Sequence, residues 1–166
     1  MKKKVGIEKR IEQTVEFIGF VFLSIVTSIT ILQVLLRYIF KTSFIWSEEF
    51  TRFLFIWVVW LGAVLGIPKG KHMVIEYLRD RFPKTIALVI KLIMEILAIF
   101  FLFVVVFKGW SLAKAMSREY YITFPVSVRY TYLVTVIAGG LMIFYMVMEV
   151  RNTLQNLLAS GKSNDH

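Results

Sequence analysis

The sequence predicts an all-α integral membrane protein of four transmembrane helices and short interfacial amphipathic helices, in one domain over residues 1–166. Two observations carry this reading. Hydrophobic residues make up 58% of the chain, above the roughly 45 to 50% of a soluble globular protein. They also come in long uncharged blocks instead of at helix-face or strand-face spacing, so the whole circumference of each block faces lipid or other helices.

The net charge of +9 does not read as a nucleic-acid footprint, because the basic residues sit before and between the apolar blocks and not on one polar face. With no cysteine, disulfides, zinc thiolates and iron–sulfur clusters are excluded. His72 and His166 lie outside the apolar blocks, so haem held between paired intramembrane histidines is excluded too. No Ser/His/Asp set, phosphate loop or paired metal ligands occur, so neither enzyme activity nor a cofactor is expected of this chain.

The spans are predicted over about residues 15–37, 47–67, 86–107 and 130–149. Phe17 to Leu36 is uncharged, and its twenty residues at about 1.5 Å each match a hydrocarbon core of about 30 Å. This run exceeds a signal-peptide core and offers no small-residue cleavage site at Leu35-Leu36-Arg37-Tyr38, so it is expected to remain in the mature protein. Glu16 marks its inner edge; a small multidrug antiporter would need a carboxylate deeper in the helix.

The second span is predicted to start at Ser47 as N-cap, with Glu48 and Glu49 in the first turn at the positive end of the helix dipole. Arg52 lies four residues after Glu48, the favoured order for an ion pair. These charges either line an outer vestibule or simply cap the helix and pair; the capping logic favours the second. Pro68 is expected to end the helix at Ile67. Gly62 and Gly66 have the small-xxx-small spacing that lets membrane helices approach closely, which implies a packed face without naming its partner. Gly139-Gly140 in the fourth span suggests a second close contact or a weak point, and alone it is uninformative.

The third span carries Lys91 and Glu95 one turn apart on the same face. A charge in the membrane is a functional-site hypothesis by default, as a carrier or counter-ion. The alternative is that the two pair with each other or with a partner subunit, and a mutually neutralising pair leaves no carboxylate for a moving ion. The fourth span runs uncharged from Tyr130 to Met148 and ends at Glu149 and Arg151.

Met73 to Phe82 has the spacing of a short interfacial helix. The third helix is expected to continue past the surface as an amphipathic arm until Thr123-Phe124-Pro125 breaks it, with Lys108, Ser111, Lys114 and Arg118 roughly opposite Trp110, Ala113, Met116 and Tyr120. The tail after Leu158 reads as disordered. Four spans place both termini on one side. The N-terminal segment, residues 68–85 and the C-terminal tail hold twelve Lys and Arg, against seven in 37–52 and 108–129, which puts the termini in the cytoplasm.

Leu36-Arg37-Tyr38-Ile39-Phe40, then Phe44-Ile45-Trp46-Ser47-Glu48-Glu49-Phe50-Thr51-Arg52-Phe53, Trp57, Leu61-Gly62-Ala63 and Gly70-Lys71-His72-Met73 together resemble the small membrane subunit of tripartite ATP-independent periplasmic (TRAP) transporters. This DctQ-like family includes the sialic acid and C4-dicarboxylate systems. The resemblance implies a non-catalytic scaffold in the bacterial inner membrane, among membrane lipids. It further implies a large membrane subunit carrying the substrate and sodium sites, with a periplasmic substrate-binding protein delivering the organic acid. Arg37, Trp46, Glu48, Glu49 and Arg52 match the signature and imply the outer end of the second helix and its contact with the large subunit. Trp57 also matches, and Gly62, Gly70 and His72 match for packing and the cytoplasmic turn; the Lys91 and Glu95 pair matches no family pattern. The chain looks like the unfused form that requires its partner in trans. The competing readings are a self-sufficient four-helix transporter or channel built around Glu95 or Glu16, and a membrane anchor for a peripheral enzyme.

Overall fold

The computed structural model describes the backbone of residues 2–41 and 44–162, with side chains except at 2–8, 69–81, 84 and 159–162. Four helices follow in order: α1 Lys2–Ile39, α2 Ile45–Arg81, α3 Lys84–Ala115 and α4 Arg129–Lys162. Each contains a segment long and apolar enough to cross a membrane, so the all-α, four-span prediction holds. The helices alternate in direction, and both chain ends lie at one end of the bundle, the terminal end; the α1–α2 and α3–α4 connections form the loop end.

The packing order differs from the chain order. α3 lies along α4, α4 along α2, and α1 against α2, while α2 and α3 touch little. A third of α4's apolar window (33%) is buried against 6% of α1's, which makes α4 the central helix and α1 the peripheral one. Val15, Leu61, Val64, Leu102, Ala138, Met142 and Tyr145 bring all four helices into one core. The outward faces are bulky and apolar, with Phe17, Phe20, Phe100, Phe101 and Phe107 all exposed. In water this would be untenable; in a bilayer it is the ordinary surface. Ser24 and Ser28 in α1 donate to the carbonyls of Phe20 and Ser24, both at 2.8 Å, which satisfies hydroxyls that lipid would leave bare.

Four elements run differently from the sequence reading. α1 begins thirteen residues before position 15 as part of one long helix. α2 does not stop at Pro68 but continues to Arg81, so the separate interfacial helix at 73–82 and the turn at Gly70 to Met73 are a continuation of α2. Pro68 forfeits one backbone bond, to Val64, a loss that membrane helices tolerate. α3 ends at Ala115, earlier than Thr123, and passes into a 3-10 turn at Met116–Arg118. The Ser127 hydroxyl approaches the carbonyls of Met116 and Ser117 at 3.4 and 3.3 Å, occupying acceptors that a helix end leaves free. On the arm Lys114 lies over the Trp110 ring at 5.4 Å, on one flank and not opposite it. α4 stays helical past Leu158 to Lys162, which replaces the expected loose tail over that stretch.

The closest helix approach lies between α3 and α4. A Cβ built on Gly139 would meet Val106 Cγ2 at 2.5 Å, and one on Gly109 would meet Thr135 Cγ2 at 3.2 Å. Gly140, its neighbour, has nothing within 4 Å. Gly139→Ala is therefore expected to cost about 1–3 kcal/mol by overpacking, whereas Gly140→Ala is neutral or stabilising by up to about 1 kcal/mol. Thermal unfolding of the detergent-solubilised variants checks the contrast.

Candidate functional site

Two polar clusters hold the bundle at opposite ends. Toward the terminal end, Lys91 and Glu95 project from one face of α3 and Glu149 and Thr153 from one face of α4, each pair four residues apart. Lys91 Nζ donates to Glu149 Oε1 at 2.6 Å and lies 3.3 Å from Glu95 Oε1. Thr153 Oγ1 donates to Glu95 Oε1 at 3.2 Å. All four residues are buried, Thr153 fully. Glu95 Oε2 has no hydrogen-bond partner among the described residues. The pairing expected within α3 is present, but the shorter contact is the one to Glu149, which had read as the mere end of the fourth block. The signal for it was the four-residue step from Glu149 to Thr153, which repeats the Lys91 to Glu95 step in an antiparallel neighbour.

At the loop end, Glu49 in the first turns of α2 reaches the α3–α4 connection. Its Oε2 accepts from the Thr123 backbone N–H at 3.0 Å and from the Thr123 hydroxyl at 2.6 Å. Around this clamp Phe50 and Phe53 meet Phe124 edge-on, Phe53 meets Tyr121, and Tyr121 stacks on Phe124 with centroids 4.7 Å apart. The Tyr121 and Thr131 hydroxyls share a 2.7 Å hydrogen bond, and Tyr120 and Ser127 form an antiparallel bridge closing the turn. The clamp made by Thr123 and Phe124 escaped the sequence reading, which saw only a helix break there.

The candidate residues therefore separate into groups. Glu49 is used within the chain, as are Lys91 and Glu95. Trp57 packs against Phe22 of α1 and Phe53, with ring centroids 6.2 Å away in each case. Trp46 is half exposed beside Phe44 and Phe50. Arg37 is exposed in the last turn of α1. Glu48 and Arg52 form their ion pair at 3.5 Å, but 65% and 70% of their side chains are exposed; a pair so long and open contributes little to stability. A Cβ added at Gly62 or Gly66 would meet nothing within 4 Å, so no described residue of another element fills the face they offer. The backbone at His72 is helical within α2, and its side chain lies outside the described residues.

A membrane bundle whose buried ionisable groups bond to one another across a helix seam is built as a structural component. Residues 26–156 match the family of tripartite ATP-independent periplasmic transporters, DctQ component. A Haemophilus influenzae Rd protein named as a TRAP transporter small permease is 24% identical over 144 residues, covering 87% of this chain and 89% of that one. The sialic acid TRAP transporter small permease protein SiaQ of Vibrio cholerae is 24% identical over 131 residues, 79% of this chain and 76% of the relative. A 78-residue stretch, 47% of this chain, is 33% identical to 13% of the sialic acid TRAP transporter permease protein SiaT of H. influenzae 86-028NP. The chain belongs to the DctQ family: it is a TRAP transporter small permease, a multi-pass inner-membrane protein and not an enzyme.

Breaking the buried network should cost far more than replacing it. Lys91→Met leaves two carboxylates facing each other and is expected to destabilise by about 3–5 kcal/mol. The triple variant Lys91→Met with Glu95→Gln and Glu149→Met removes every charge of the seam and should recover a large part of that loss. Thermal unfolding in one detergent measures both.

Proposed function

We propose that this chain is the non-catalytic scaffold of a sodium-coupled, binding-protein-dependent importer of organic acids. In this reading it supports a large membrane subunit that carries the substrate and sodium sites, while a periplasmic substrate-binding protein delivers the acid. The supporting observation is where the membrane-embedded ionisable groups go. Lys91, Glu95 and Glu149 are spent on one another across the α3–α4 seam, so they hold helices together and do not line a path. The transported acid belongs to the sialic acid or C4-dicarboxylate class, after the systems that the family resemblance spans and the sialic acid relatives.

The excess of Lys and Arg at the terminal end supports an orientation with both termini in the cytoplasm. The clamped loop around Thr123 then faces the periplasm, on the side from which a binding protein arrives. Reconstitution tests the proposal. The chain alone in liposomes is expected to give no organic-acid flux, and flux should appear only when the co-purified large subunit, its binding protein and a sodium gradient are supplied. Flux from the isolated polypeptide would overturn the scaffold reading and favour a self-sufficient transporter.

A further inference from the structure

On α2 the residues Glu48, Arg52, Phe55, Val59, Gly62 and Gly66 recur at steps of four, three, four, three and four. That alternation is the 3.5-residue period of a helix seam wound against another helix. All six are exposed in the structure, although the other sides of α2 are covered by α1, α4 and the Thr123 loop. We propose that this stripe of α2 is the docking seam for one transmembrane helix of the large permease subunit, a proposal that rests on the scaffold reading above.

Three features identify the occupant. First, the stripe is narrow. α3 exposes a wide bulky arc that includes Ile93, Met94, Leu97, Phe100, Phe101 and Val104, which suits lipid, whereas the α2 strip, broadened between 52 and 66 by the small exposed Ala63 alone, suits a single helix. Second, its half nearer the terminal end is Gly62 and Gly66, where an added Cβ would meet nothing among the described residues within 4 Å; small residues at that spacing admit a helix backbone. Third, its half nearer the loop end carries charges. Among the described residues Arg52 has only the 3.5 Å contact to Glu48, leaving most of its guanidinium donors to a partner's carboxylate or carbonyl oxygen. A second copy of this chain fits poorly. A two-fold axis along the seam brings Arg52 toward Arg52 and Glu48 toward Glu48 at equal depth, while a different partner can present the complementary charge at each level.

The test uses the assembled transporter in its native membrane, with the photoreactive amino acid p-benzoylphenylalanine in place of Val59 in one variant and of Phe100, on the outward arc of α3, in another. Irradiation is expected to attach the large permease subunit to the Val59 position and not to Phe100. An adduct with the large subunit only at Phe100, an adduct at Val59 only with a second copy, or no adduct at Val59 in a complex that still co-purifies would each overturn the seam. A second measurement uses Gly62→Leu with Gly66→Leu. Co-purification of the large subunit should fall at least tenfold while the thermal unfolding of the isolated chain stays unchanged; undiminished co-purification would overturn the proposal. If the wild-type chain brings down no large subunit at all, the scaffold reading falls as well, which distinguishes the two failures.

Discussion

Inside hydrocarbon an ion must find its counter-charge within the protein, and the contact between Lys91 and Glu149 is where that constraint sets the architecture. The ammonium lies between a carboxylate of its own helix and a closer one across the seam. Sliding α4 by a turn would carry Glu149 away from Lys91 and leave an ion bare. Antiparallel register thus follows from charge at one end of the seam, and the same register brings Gly139 against Val106 and Gly109 against Thr135 farther along. Electrostatics and close packing impose the same alignment, and this agreement between levels specifies one structure.

The other helices attach to this pair in sequence. α2 joins through Leu61 and Val64 in the core and through Glu49, which ties its first turn to the turn between α3 and α4. A carboxylate there meets two needs at once. It favours the positive end of its own helix and accepts the donors of a loop that would otherwise face the interface unpaired. α1 comes last, resting on α2 by Gly19 near Leu61 and Phe22 on Trp57. It is the least embedded helix and the one whose hydroxyls bond to its own backbone.

What was legible in the residues is what depends on local pattern. Four uncharged runs predict four spans because lipid demands them, and the Lys91 to Glu95 spacing places both on one face. The partner across the seam was missed, since Glu149 stands at the end of an apolar run and looks like a boundary unless its step to Thr153 is set beside that of Lys91 to Glu95. Gly62 and Gly66 show the opposite failure. Their spacing announces a packed face, yet within this chain the tight contact is made at Gly139, where the paired glycines suggest either a close contact or a weak point. Pro68 misled because the one backbone bond it forfeits, to Val64, does not outweigh the helix on either side of it.

The passage of α2 through Pro68 has a geometric consequence. Thirteen helical residues separate Pro68 from Phe82, and at about 1.5 Å each they carry the chain about 20 Å before Phe82 and Pro83 turn it into α3. The turn into α3 is thus made about 20 Å beyond Pro68 along the helix, away from the stretch where Leu61 and Val64 meet α4, and the two helices it joins touch little. The last helix can lie between its two predecessors because the turn that ties them is remote from the packed core.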